Sequence, residues 1–426
     1  MPDLKVNVGV SEKWDAREAG REVASQALAG ISGKPSFFIV FSTIHYENNG
    51  GFQELLNGIY EVLPRDTLLA GGTVSGFTTQ QGCYVRGVAA MAVSYSNMDV
   101  TISVGHNTIR NPQAAAKDCA QKIKDDLEKS KFKNQFLFTF SGGTQILDVP
   151  PVGRKSVVRS GLLAKTIMSS FSASQFVLQK GIGREDELLE ALVTEIPDCQ
   201  LLHGSAIDDV RMLRNYQFAN NNVLMNAIVC LGIKSDLNAA VDFAHGAEPA
   251  LEIEITKLSS DRRIIHEING KPAAQELLRL IKWPEGFFEE RLFTKRFPFF
   301  PLGVYVNGKF YVRPFVMVLG DSILLMTRID EGKAYIARID GGSMIKSVDT
   351  SLKKSGAGDQ AFGLFTACSI RLMALGRKIY NERDVLLKYF KNQPFLLGYC
   401  GGEAVYNPER GIEYLNESVG YAVFRR

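Results

Sequence analysis

"LLHGSAIDDVRMLRNYQF", residues 201–218, sets an apolar pair, a glycine and two adjacent aspartates ahead of alternating polar and aromatic residues. It reads as a buried strand that runs into Gly204 and leaves the sheet carrying His203, Ser205, Asp208 and Asp209. The stretch "TLLAGGTV" (67–74) follows the same order and ends on Gly71 and Gly72. Each is preceded by a continuous apolar run of strand length, "PSFFIVFST" (35–43) and "QFLFTFSGG" (135–143). Runs of that length read as strands. Each is also followed by two strand-like runs about a turn: "YVRGVAAMAVSY" and "DVTISVGH" in the first block, "VLMNAIVCLGI" and "NAAVDFAHG" in the second. The blocks close on His106 and His245. Residues of about 35–109 and 134–246 are therefore read as an internal duplication, and the junction of two facing halves is a common place for a ligand.

Working outward, "SEKWDAREAGREVASQAL" predicts an opening helix with Ser11 at its N-cap. Helical spacing recurs at Phe52, Leu55, Leu56, Ile59 and Leu63, then at Ala116, Cys119, Ala120, Ile123 and Leu127. Further helices are expected over 156–171 and 185–196. From Leu251 the texture changes. "LEIEITKLSSDRRIIHEING" alternates at period two about a Ser-Ser-Asp turn, and "KPAAQELLRLI" is a helix opened by Pro272. Strands with Asn-Gly and Glu-Gly turns follow, and "QPFLLGYCGGEAVYN" and "LNESVGYAVF" read as closing strands. "RKSVVR" (154–159) and "KKSGAGDQ" (353–360) read as solvated loops. The expected fold is mixed α/β: a duplicated strand-helix-strand-hairpin domain over 1–246 and a smaller β-rich α/β domain over 247–426.

At 426 residues the chain exceeds one ordinary core. Its 49 basic and 46 acidic residues leave a net charge of +3, too balanced to drive nucleic-acid binding through phosphate neutralisation. The six cysteines are widely spaced, without a CxxC pair or a zinc-like grouping, and read as reduced thiols. The N-terminal stretch lacks the apolar core of a signal peptide, and no run approaches the roughly 20 apolar residues of a membrane span. A cytoplasmic protein is expected.

Taken together, "LLAGGTVSGFT", "HGSAIDD" with "YQF", "AHGAEPALEIEITK" with "EINGKPA", "FTACSIRLMALG", and "FLLGYCGGEAVYN" with "LNESV" resemble the FIST family, a sensory module built from adjoining FIST-N and FIST-C regions. The resemblance spans about residues 20–425. His203 stands where the family usually has glycine, and "CSIRL" is a loose form of its cysteine-arginine motif. The resemblance implies a small-ligand sensor of signal transduction. No kinase, cyclase or chemoreceptor module is recognised in the chain, so its expected output is a separate signalling partner: a kinase, a cyclase or a ubiquitin-ligase component. No F-box-like segment precedes residue 20. Some free-standing members are similar to haem-containing nitric-oxide sensors that govern a histidine kinase.

Two readings apply to the residues of the opening stretch. In one, glycine turns the backbone while Ser205, Asp208 and Asp209 hold an amine or hydroxyl of a ligand; in the other, the aspartates cap a turn and stay in water. Cys368, Arg371, Glu403 and Asn416 fall in the C-terminal motifs. Arg371 with Glu403 suits the carboxylate and ammonium of an amino acid, or else the two form a structural ion pair. His245, and less so His106, is the candidate axial ligand if haem binds; nothing like CxxCH is present to attach it covalently. The glycines of "AGGTVSG" lack phosphate-loop spacing and suit close backbone packing. A binding protein without covalent chemistry is the first reading. A haem-based gas sensor, a hydrolase using Ser205 with His203, and a ligand-free scaffold are the alternatives.

Overall fold

The computed structural model describes residues 3–146, 156–284, 286, 289, 293, 295–356 and 358–426, except the side chains of 170–173. It is a mixed α/β structure in which the sequence pattern occurs three times. The first unit contains β1 (Lys5–Ser11), α1 (Ala16–Ala27), β2 (Phe37–Ser42), α2 (Phe52–Tyr60), β3 (Leu68–Thr73), a hairpin of β4 (Gly76–Thr79) and β5 (Cys83–Tyr84), and β6 (Val88–Ser94). The second contains β7 (Met98–His106), α3 (Pro112–Leu127), β8 (Asn134–Gly142), the short β9 (Val157–Val158), α4 (Gly161–Val177), α5 (Glu185–Glu195), β10 (Gln200–Ala206), the hairpin β11 (Gln217–Ala219) and β12 (Asn222–Leu224), and β13 (Ala227–Ser235).

The third unit begins at β14 (Asn238–Ala244). It is interrupted by β15 (Glu248–Leu258), β16 (Ile264–Ile268), β17 (Lys271–Pro272), α6 (Ala273–Ile281), β18 (Leu302–Val306), β19 (Lys309–Arg313), β20 (Phe315–Leu319), β21 (Ser322–Leu325) and β22 (Gly332–Arg338). It resumes with α7 (Gly341–Lys354), β23 (Gln360–Cys368), α8 (Ser369–Leu375), α9 (Ile379–Phe390), β24 (Phe395–Cys400), the hairpin β25 (Glu403–Asn407) and β26 (Gly411–Leu415), and β27 (Val419–Arg425).

Each unit forms four strands of a six-stranded sheet, and each sheet is completed by another unit's hairpin. The orders are β1-β6-β2-β3-β11-β12, β7-β13-β8-β10-β25-β26 and β14-β27-β23-β24-β4-β5. The exchange is cyclic: the second unit completes the first sheet, the third completes the second, and the first completes the third. β14 and β27, on either side of residue 246, pair along their whole length.

The continuous apolar runs now have a reason. Alternate residues face opposite sides of a strand, so Phe37, Ile39 and Phe41 point into a core shared by all three sheets, while Phe38 and Val40 pack under α1 and α2. Phe136, Phe138 and Phe140 of β8 face the same shared core, with Leu137 under α3 and α5. In the third sheet Phe362 and Leu364 face inward, and Phe365 and Ala367 lie under α7 and α9. Ring contacts cross between sheets, Phe41 with Phe140 at 5.6 Å and Phe136 with Phe424 at 4.9 Å. A glycine of each third strand sits where the sheets converge. A Cβ on Gly72, Gly204 or Gly398 would come within 3.0 Å of Phe140, of Cys400 and Thr366, or of Phe41 respectively.

The interruption builds a separate sheet, β19-β18-β22-β15-β16-β21-β20-β9, with β17 on β16 and α6 packed against it. Two expectations are corrected here. Ser11 ends β1, and Asp15 caps α1 by accepting the Glu18 amide at 2.9 Å. The stretch 154–159 is partly outside the described residues, but Val157 and Val158 are buried in β9 rather than solvated.

Truncating a ring at the shared core tests its weight. Phe138→Ala is expected to lower unfolding stability in urea by about 3–5 kcal/mol, whereas Leu162→Ala, at a side chain 78% exposed, changes it by less than about 0.5 kcal/mol.

Candidate functional site

The exits of β8 and β10 and the start of β25 meet the inserted sheet around a cavity of about 40 Å³. It is lined by Glu185, His203, Glu403 and Asn416 from the three-sheet body and by Arg263 and Thr327 from the inserted sheet. His203 and Ser205 project from the helix-covered face of β10. His203 Nδ1 lies 2.9 Å from Thr139 Oγ1, and its Nε2 lies 3.3 Å from Ser205 Oγ and 3.4 Å from Ser141 Oγ. Burial pushes the imidazole down to about 3, so it is neutral at physiological pH. Ser205 Oγ donates to Glu185 Oε1 at 2.9 Å, and burial raises the Glu185 carboxyl above its usual range. In a Ser-His-acid relay the acid orients the histidine. Here the acid accepts the serine's hydrogen bond and a threonine occupies the histidine's far nitrogen.

Glu403, opposite Gly204 in the sheet register, is 4% exposed, and neither carboxylate oxygen has a hydrogen-bond partner. Glu417, in the turn between β26 and β27, is fully buried in the same condition. Burial raises both carboxyls well above the usual range and Arg371 opposes the shift; at Glu403 the adjacent Cys368 thiol opposes it as well, and the nearby Glu417 adds to it. Unpaired carboxyls in such surroundings are held neutral.

The inserted sheet is fastened to this site through Asp186, at the first turn of α5. Arg263 Nη2 donates to both Asp186 oxygens at 2.9 Å, and Arg328 Nε donates to Oδ2 at 2.5 Å. Asn416 adds a second tie, donating to the carbonyl of Val312 at 3.3 Å and to Thr327 Oγ1 at 3.0 Å.

The remaining expected residues lie elsewhere. Asp208 accepts the amides of Met212, Leu213 and Arg214 and so fastens its own loop, the turn-capping reading. Asp209 is exposed beside another cleft, of about 460 Å³, with Arg211 and Lys180. Gly71 is buried, and a Cβ there would meet the Val40 carbonyl at 1.9 Å; like Gly72 it serves strand packing. Arg371 is fully buried and paired with Glu382 rather than Glu403, through Nε at 2.8 Å and Nη2 at 2.5 Å. It also donates to the carbonyls of Met344 and His245. Cys368 is buried, and its thiol is pushed well above its ordinary range by burial and by Glu403. His245 donates from Nε2 to the Phe310 carbonyl at 3.1 Å and accepts the Ala247 amide on Nδ1 at 2.9 Å. Both nitrogens are taken, so these residues do not fit an axial ligand to haem iron. His106 is exposed at the end of β7. No cluster of three or more His, Cys, Asp or Glu suited to a metal occurs among the described residues.

The model of the FIST N domain matches residues 36–271, and that of the FIST C domain matches residues 273–405. The chain belongs to the FIST family. FIST domains are sensory domains of signal transduction. No curated protein matches the chain. Among solved structures, cyanuric acid hydrolase from A. caulinodans is 8% identical with a TM-score of 0.28, over 55% of this chain and 71% of that one. PurLQS from Thermotoga maritima is 9% identical with a TM-score of 0.20, over 99% and 72%. TM-scores this low do not define a fold. No helix among the described residues is long and apolar enough to cross a membrane.

In this FIST chain the cavity is made by residues from both matched regions, Glu185, His203 and Arg263 from the first and Glu403 from the second, with Asn416 just beyond. Of the expected residues, His203, Glu403 and Asn416 line it and Ser205 reaches it through Glu185. Glu185, Asp186, Arg263 and Glu417 were missed. Glu417 lies within the quoted "LNESV", but nothing in a sequence shows that its carboxyl ends up without a partner.

Two outcomes follow from these placements. Arg371→Met strands the buried Glu382 carboxyl and is expected to cost about 3–5 kcal/mol in urea unfolding, whereas Arg371→Met with Glu382→Met returns close to the parent. Separately, a carboxyl whose folded-state pKa is raised adds stability fully present below its unfolded value, near 4.3, and lost as pH rises through the folded value. Glu403→Gln therefore raises the thermal midpoint at pH 8 and by less at pH 4.5, measured by calorimetry.

Proposed function

We propose that this FIST chain is a cytoplasmic sensor of a small metabolite, an amino acid or similar amine, taken up where the inserted sheet meets the three-sheet body. The observation that supports this reading is Glu403, a buried carboxyl lining the cavity with both oxygens free of hydrogen bonds. An ammonium group supplies both the missing donors and the charge that lets Glu403 ionise. The cavity of about 40 Å³ has room for a water or two, so uptake requires the inserted sheet to move from the body. The Arg263 and Arg328 ties to Asp186 and the Asn416 contacts are what that movement breaks and remakes. A ligand that favours one arrangement shifts the population, and the shift is the signal. Its receiver is a separate protein, such as a kinase, cyclase or ubiquitin-ligase component. The six free thiols suit a reducing compartment.

The test is a thermal-shift screen of amino acids and simple amines on the parent and on Glu403→Gln. An amine that raises the parent's midpoint by several degrees and leaves the variant unmoved supports the reading. A screen with no response, or an equal response in both proteins, overturns it.

A further inference from the structure

The inserted sheet carries a buried arginine that forms no ion pair among the described residues. Arg313, the last residue of β19, is 7% exposed. Its Nη1 donates to the carbonyls of Val312 at 2.9 Å and Tyr414 at 3.4 Å, while its Nε has no partner. It lines a cavity of about 330 Å³ between β19, the segment after β21, and β26.

Other charges line this cavity, but they are committed to one another. Arg262 holds Asp330 at 2.5 Å, Arg328 holds Asp186 and reaches Glu190, and Arg410 holds Asp242 at 2.9 Å. Glu413 takes Lys309 at 2.7 Å and the Tyr311 hydroxyl at 2.8 Å on one oxygen, and its other oxygen lies 3.6 Å from Arg410 Nε. Among the described residues Arg313 alone of the lining arginines has no carboxylate. Besides the two carbonyls its guanidinium has only the Tyr311 ring, 5.7 Å from ring centroid to Cζ, and a buried charge with no carboxylate bound to it is a standing cost. Here burial lowers the guanidinium to about 10 and so leaves it charged at neutral pH. Its planar fork suits the two oxygens of a carboxylate or phosphate.

We infer that Arg313 is the anchor of an anion-binding subsite, filled by a small carboxylate or a phosphate, in the cavity between the inserted sheet and β26. The Val312 and Tyr414 carbonyls and the Tyr311 ring orient the guanidinium, and the anion takes the N–H groups that these leave unbonded. The subsite stands without the amine reading. It neighbours the Glu403 cavity, sharing Asp186, Thr327 and Tyr414 with it, but its ligand is of the opposite charge.

The test uses the full chain in thermal-shift titrations with sodium phosphate or sodium acetate, against sodium chloride at equal ionic strength. The expected result is a rise of roughly 2–5 °C at saturating phosphate or acetate. Whichever probe acts tells which anion class the subsite takes. Arg313→Met is expected to abolish the rise and Arg313→Lys to weaken it. Val306→Trp, at a side chain that lines the cavity and is 45% exposed, blocks entry without replacing the buried charge. It decides the matter if Arg313→Met does not fold. No rise beyond chloride in the parent, or an unchanged rise in both Arg313→Met and Val306→Trp, overturns the inference. The amine response and the anion response are read with different probes, so each proposal fails on its own.

Discussion

Every six-stranded sheet in this protein is unfinished without a hairpin from another unit, and the rest of the structure follows from that constraint. A four-stranded sheet left open at β3, β10 or β24 would present a row of unpaired backbone groups. The hairpins β11–β12, β25–β26 and β4–β5 close those edges in a cycle. The units are thereby held around one core, with Phe41, Phe138 and Phe140 in contact across the first two sheets. Close convergence then requires small residues in the third strands, which is where Gly72, Gly204 and Gly398 lie.

The hairpin of the third unit places the proposed site. β25 reaches across to β10 and sets Glu403 against Gly204, beside the exits that carry His203 and Ser205. The inserted sheet is tied over those exits by the buried Asp186 with Arg263 and Arg328. Fixed pairs such as Arg371–Glu382 and Asp186–Arg263 are satisfied within the fold. Glu403, Glu417 and Arg313 are not fully satisfied, and polar groups left so in a native interior are a standing cost that a bound group can relieve.

Much of the architecture was legible. The apolar runs at 35–43 and 135–143, the glycine exits and the paired strands after them gave the α/β class and the recurrence of a unit, because period and turn chemistry are local properties. The third recurrence was also present, in "AFGLFTACS" and "QPFLLGYCGG", where an apolar run and a Leu-Leu-Gly strand return. It was obscured because the inserted sheet separates β14 from β23, so the spacing of the first two blocks is lost. Ser11 was misread as a cap because a serine ahead of a polar, alanine-rich stretch has the same local signature at a strand's end.

The sequence by itself determined most of the long strands and helices, which residues are apolar enough to be buried, and the family to which the chain belongs. Only the tertiary structure decided which hairpin completes which sheet and which charges are paired. The sequence leaves Arg371 and Glu403 either a clamp for a ligand or an ion pair with each other, yet Arg371 lies against Glu382 while Glu403 has no hydrogen-bond partner. Ion pairing and desolvation depend on distances between residues far apart in the chain, and those distances are set only when the three sheets close around their shared core.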